Sequence, residues 1–144
     1  MSRVKLDLPD HFQFSTEIVV RISDINYGGH LGNDSVLSMV HEARVRFLKH
    51  YGFTEADIDG VGIIMTDAVI VYKSEGFYGN ILRVDVSVQN SSKVGCDFIF
   101  RLTNKESASE IARAKTGVVF FNYEQKKIMA MPDKFRTLFP DRKN

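Results

Sequence analysis

Val84, Val86 and Val88 alternate with Asp85 and Ser87, the two-residue period of a half-buried strand. Residues 62–73, 95–103 and 111–123 are rich in Val, Ile, Phe and Tyr and read as three more strands. An earlier buried strand is predicted over residues 14–22, where Ile18, Val19 and Val20 follow one another. The period then changes. Val36, Leu37, Val40, Ala43, Phe47, Leu48 and Tyr51 recur at spacings of three and four, with Met39 and Val45 outside that stripe. This predicts a helix over residues 35–51 of about five turns, buried over most of its circumference. Asn33 or Asp34 is suited to cap its start and Gly52 its end. Residues 54–60 read as a short helical turn. Residues 132–139 read as a closing one, with Phe135, Leu138 and Phe139 turned inward.

Turn-like segments at residues 75–76, 78–80, 90–93 and 104–109 separate the later strands by short connections, which implies an antiparallel meander. The order is strand, long helix, then four strands. One sheet and one mostly buried helix bury each other best when the sheet curls around the helix. The expected fold is therefore α+β, a curled antiparallel sheet of five to six strands around one long central helix, in a single domain over residues 1–144. An open sheet edge at the second strand favours pairing with another copy of the chain, as a homodimer or homotetramer.

Composition narrows the function classes mainly by exclusion. Nineteen Lys and Arg against eighteen Asp and Glu leave a net charge of +1, with no basic patch suited to nucleic acid. The single cysteine, Cys96, excludes an internal disulfide and a Cys-rich zinc site, and in its apolar run it reads as a buried inert thiol. His11, His41 and His50 lack metal-ligand spacing, so no metal and no cofactor is expected. The first ten residues carry Asp7 and Asp10 and no apolar signal core, and no apolar run approaches the roughly 20 residues needed to span a bilayer. The expected setting is soluble and cytoplasmic, with no membrane partner.

The chemistry concentrates in the segment before the helix, Arg21-Ile22-Ser23-Asp24-Ile25-Asn26-Tyr27-Gly28-Gly29-His30-Leu31-Gly32-Asn33-Asp34. It places an acid, a carboxamide and an imidazole in one glycine-rich loop. Gly28 and Gly29 permit unusual backbone angles and close approach of a ligand. The helix start beyond them offers unpaired amides and the positive end of a dipole, a place where a thioester oxyanion can be stabilised.

This segment resembles the signature loop of hotdog-fold acyl-CoA thioesterases of the 4-hydroxybenzoyl-CoA thioesterase type, roughly Asp-x-Asp-x-x-Gly-His-x-Asn-Asn before a helix containing Glu-Ala-Arg. Asp24, Gly29, His30 and Asn33 match, as does Glu42-Ala43-Arg44. Residues 68–72, 79–82, the last long strand and Pro132 extend the likeness over nearly the whole chain. The resemblance implies a hotdog fold and hydrolysis of acyl-CoA, or of an acyl carrier protein thioester, at a junction of two subunits. In many members the second acid of the Asp-x-Asp pair is the catalytic carboxylate. Here that position is Asn26, whose amide cannot take a proton from water at neutral pH.

Asp24 is then the first choice of carboxylate, with Glu42 and Asp67 next. Asn26 and His30 would position water and carbonyl, while Gly28, Gly29, Asn33 and Asp67 would contact substrate. Val36, Met39, Val40 and Phe47 would shape an acyl slot between helix and sheet. Each residue also has a structural reading. Asp24 and Asn26 suit turns, His30 an anchor of the loop against the helix, Asn33 a helix cap, Glu42, next to Arg44, a structural bond to the Asp24 loop, and Asp67 a structural carboxylate that needs a partner in its apolar strand. Two other functions stay open. Asp24, Asn26 and His30 are similar to the Asp-x-Asn-x-x-His motif of hotdog enoyl-CoA hydratases and dehydratases, though the imidazole comes one residue late. A non-catalytic acyl-CoA-binding hotdog protein is the third reading.

Overall fold

The computed structural model describes residues 3–141. After β1 (Phe14–Val19) and a 3-10 turn (Ile22–Asp24) comes the long helix α1 (Asn33–His50). Then follow β2 (Gly62–Tyr72), β3 (Ile81–Gln89), β4 (Gly95–Asn104), β5 (Glu110–Asn122), the two-residue β6 (Lys127–Ile128) and the short helix α2 (Asp133–Leu138). The strands form one antiparallel sheet in the order β1-β3-β4-β5-β2, with β6 paired to β5 beyond that path. The sheet curls around α1. This is the expected α+β hotdog architecture.

The strand alternation is what lets one face of the sheet hold the helix. Leu82, Val84, Val86 and Val88 of β3 lie in one buried cluster with Phe98, Phe100 and Leu102 of β4 and Ala112, Ala114, Val118 and Phe120 of β5. Against them α1 sets Val36, Met39, Val40, Ala43, Phe47 and Leu48. Phe47 is the hub: its ring lies 5.8 Å from Phe14, 5.7 Å from Phe98 and 5.1 Å from Phe139. Truncating so enclosed a ring removes about 3–5 kcal/mol of stability.

Three local expectations are corrected. The helix is capped by Gly32, with no side-chain cap bond, so Asn33 is its first residue and not its cap. Its burial is confined to one face, and Leu37 and Val45 are exposed on the other. Residues 54–60 are not helical. Thr54 and Asp57 exchange backbone bonds, as do Ile58 and Val61, and positive φ at Asp59 and Gly60 turns the chain sharply into β2.

The outer face carries a feature that periodicity did not reveal. The chain before β1 crosses it: the Leu6 carbonyl accepts from Arg113 Nη1 (3.0 Å), and the Phe12 ring lies under the Arg101 guanidinium at 4.8 Å. Val71 and Ile99, outside the main core, are buried as well. Asp85 is buried on this face and held by Arg83 and Arg101. Arg101 is thereby engaged within the fold.

Candidate active site

The glycine-rich loop is a miniature hairpin. The Gly32 amide donates to the Asp24 carbonyl (2.9 Å), and the Asn26 amide donates to the His30 carbonyl (3.0 Å). Tyr27, Gly28 and Gly29 form the tip. Asn26 Oδ1 accepts from the Gly28 amide at 2.9 Å, and its carbonyl accepts from Gly29 at 3.0 Å. Gly29 takes φ +84°, a left-handed angle that a side chain disfavours. A Cβ on Gly28 would stand 3.2 Å from Asn26 Oδ1 and 3.5 Å from His30 Nε2, so the bare backbone there lets the carboxamide and imidazole crowd together. The loop is docked by the Leu31 amide, which donates to the Gly76 carbonyl in the β2–β3 connection (2.7 Å).

Docking creates a cleft of about 240 Å³ at the start of α1, lined among others by His30, Asn33, Val36, Tyr72, Lys73 and Glu75. The His30 Nδ1 faces the Leu31 carbonyl at 3.3 Å; a carbonyl only accepts, so this contact favours the proton on Nδ1 and leaves Nε2 unbonded. The Tyr72 hydroxyl donates to the Asn33 carbonyl at 3.3 Å. Burial and the nearby Asp34 carboxylate push its pKa above the ordinary phenol value, so it remains a donor at neutral pH. With no side-chain cap on α1, the amides of Asn33, Asp34 and Ser35 have no acceptor among the described residues. Of these three residues, Asn33 lines the cleft. The amides of Gly28 and Gly29 are consumed inside their own turn and do not serve as a carbonyl-binding pair.

The sequence-predicted residues fall into two groups. Asn26, His30 and Asn33 gather with Gly28 and Gly29 at the helix start. Asp24 and Glu42 do not join them; both line a second groove of about 540 Å³ between β1 and α1. Asp24 is buried, and its Oδ2 accepts from the Arg21 amide at 2.8 Å. Glu42 bonds Arg46 at 2.8 Å across one helical turn. Asp67 stands opposite Gly117 on the outer face of β2, at a bulge, paired with Lys115 at 3.2 Å. The four residues expected to shape one acyl slot are not brought together: Val40 and Phe47 are fully enclosed in the packed core, Val36 lines the cleft and Met39 lines the groove beside β1.

Sequence reasoning missed Glu75, Tyr72 and Lys73. Their only signal was position, at the end of a strand and in the turn after it. It also missed a polar cluster at the opposite end of β2. There the buried Arg44 bonds Glu55 (2.7 Å) and Thr116 (3.1 Å), and His41 Nε2 lies 2.8 Å from Glu55. Burial alone would raise the Glu55 pKa, but the bonds and charges of Arg44 and His41 outweigh it and hold the carboxyl below its ordinary range. Cys96 is buried, and burial together with Asp97 pushes its thiol up to about 12, which makes it unreactive. Among the described residues no three His, Cys, Asp or Glu side chains are grouped to hold a metal ion. No helix among them is long and apolar enough to cross a membrane.

A sheet curled around one helix, with a glycine-hinged loop docked at that helix's start, defines the hotdog class. Within it, the chain belongs to the Thioesterase-like superfamily, whose family model matches residues 20–139. A 1,4-dihydroxy-2-naphthoyl-CoA thioesterase from Synechocystis superposes with a TM-score of 0.80 at 23% identity, over 90% of this chain and 96% of that one. A DHNA-CoA thioesterase from Staphylococcus aureus gives 0.75 at 21% identity, over 86% and 84%. A gentisyl-coenzyme A thioesterase gives 0.77 at 16% identity, over 88% and 99%. At these identities the likeness shows a shared fold. No curated protein sequence matches the chain.

Proposed function

We propose that the protein hydrolyses an acyl thioester of coenzyme A or of an acyl carrier protein to free acid and thiol, as a cytoplasmic enzyme of the 4-hydroxybenzoyl-CoA thioesterase type. The observation that carries this reading is the cleft at the start of α1, lined by His30, with its Nε2 unbonded, by Tyr72 and by Asn33, whose backbone amide is open. A thioester carbonyl that gains negative charge during attack by water is stabilised by donors set in advance, and removing one such donor typically costs a hundredfold or more, roughly 3–4 kcal/mol. His30 and Asn26 orient the carbonyl and the water. Asp24 holds the loop in shape through the Arg21 amide.

The hydratase reading needs an acid and an imidazole around one water. Asp24 lines the other groove while His30 lines the cleft, so the geometry favours hydrolysis.

The working form is a homodimer built on β2. This strand runs for eleven residues along an open edge. Ala68, Ile70 and Tyr72 share the helix-side face with their buried partners Thr116, Ala114 and Ala112. Met65 and Tyr72 there are each 47% exposed. Antiparallel pairing of two such edges sets the Tyr72 end of one beside the Gly62 end of the other, extending each cleft across the junction.

The test is thiol release by the purified protein against short, long and aromatic acyl-CoAs, followed with a thiol reagent. Release well above the uncatalysed rate on at least one substrate supports the reading. Tight binding with no release would replace it with an acyl-CoA-binding role, and hydration of crotonyl-CoA would replace it with the hydratase.

A further inference from the structure

We propose that Glu75 is the carboxylate that activates water in the helix-start cleft, an inference that rests on the thioesterase reading above. Hydrolysis at neutral pH needs a base beside the attacking water, and the Asn26 amide cannot act as one. The carboxylates that attract attention in the sequence are engaged elsewhere. Asp24 is buried against the Arg21 amide, Glu42 is bonded to Arg46, and Asp67 is paired with Lys115 on the outer face. Asp34 curls back over the loop, its Oδ1 only 2.9 Å from where a Cβ on Gly32 would stand, and it does not line the cleft.

Glu75 differs from the first three in being unpaired, and from Asp34 in lining the cleft. It lines the same cleft as His30, Asn33 and Tyr72, and its carboxylate has no hydrogen bond or ion pair among the described residues. Its backbone, in contrast, is fixed on both sides. The Gly76 carbonyl receives the Leu31 amide of the site loop, while the Ser74 amide donates to the Ile111 carbonyl (3.2 Å) and the Ser74 hydroxyl to the Glu110 carbonyl (2.7 Å). An exposed, unpaired carboxylate is thus carried on an anchored turn that also positions the loop bearing His30. The other titratable groups lining the cleft are His30, Tyr72 and Lys73.

In the reaction, Glu75 removes a proton from water as the water oxygen bonds the thioester carbon. The carbonyl π pair moves onto oxygen, where the open amide of Asn33, at the helix start, receives it. Collapse re-forms the carbonyl, breaks the carbon–sulfur bond and expels the thiolate, which takes the proton back from Glu75. Acid and thiol leave, and the carboxylate is regenerated.

The test compares the full-length wild type with Glu75→Gln and Glu75→Ala on whichever acyl-CoA the wild type turns over, over a range of pH. Glu75→Gln should lower kcat about a hundredfold or more, change KM by only a few-fold, and abolish the acid limb of the kcat profile. Glu75→Ala should be equally slow and should recover activity with added formate but not chloride, a readout that a purely structural role would not produce. A wild type that hydrolyses thioesters and a Glu75→Gln that retains kcat within about threefold would overturn the assignment and leave the thioesterase reading standing. A wild type inactive on every acyl-CoA would take down both.

Discussion

Two clefts flank the same helix, and they treat their charges in opposite ways. In the groove beside β1 every charged side chain is matched: Arg21 with Asp24, Arg46 with Glu42, and Glu17 with Lys105 at 2.8 Å. Arg46 also reaches Thr16 and the Glu17 carbonyl, tying α1 to the sheet edge. In the cleft at the helix start, Lys73 and Glu75 have no such partners among the described residues, and the Asn33 amide is open. The first groove is more than twice the volume of the second, about 540 against 240 Å³, yet its groups are committed to holding the fold. Size marks architecture here, and unspent hydrogen-bonding capacity marks chemistry. Substitutions beside β1 should therefore reduce stability, and substitutions at the helix start should reduce rate.

The largest separation is expected at His30. His30→Ala should lower kcat about a hundredfold while leaving the melting temperature within about two degrees of wild type, because the side chain contributes one weak bond to the fold. A fall in melting temperature large enough to explain the lost rate would erase the contrast between the clefts.

Glu55→Gln tests matched charge at the far end of β2. Removing the anion beside the buried Arg44 should cost roughly 2 kcal/mol at about pH 7, read from urea unfolding. Because the Glu55 pKa is lowered in the folded protein, its contribution is full above the ordinary carboxylate range and fades as pH falls through its folded value. The difference between wild type and variant should accordingly hold from about pH 7 to 5 and shrink toward about pH 3. A difference that grows on acidification would mean that the carboxyl is held protonated.

Arg46→Ala is the smallest of the three. Its bonds to Thr16, Glu42 and the Glu17 carbonyl are half exposed, so their loss should cost about 1 kcal/mol with kcat/KM within about twofold of wild type. A tenfold loss of kcat/KM with an intact fold would move function into the groove beside β1.

The fold was legible because it is written in periods. The Val84–Val88 alternation and the three-and-four spacing of residues 36–51 each report one buried face, and those faces meet. The loop residues Asn26, Gly28, Gly29 and His30 were legible for a similar reason: their closeness in sequence is closeness in space. What sequence concealed was commitment. Asp24 sits two positions from Asn26, but the hairpin turns its carboxylate toward the Arg21 amide. Glu42 shares a helix with the site, but falls on the face toward Arg46 and β1. Glu75 reaches the cleft only because the Leu31–Gly76 bond joins two segments more than forty residues apart, which no local pattern encodes. The open sheet edge at β2 was legible as an open second strand, whereas the strap over the outer face was not, since residues 6–12 show no strand or helix period.

The most direct test of the contrast is a crystal structure with a non-hydrolysable thioether analogue of a turned-over acyl-CoA. The account predicts its sulfur beside His30, with the adjoining acyl carbons in the cleft that also holds Tyr72 and Glu75. A sulfur seated instead against Glu42 and Arg46 would contradict it and make the larger, charge-matched groove the reaction site.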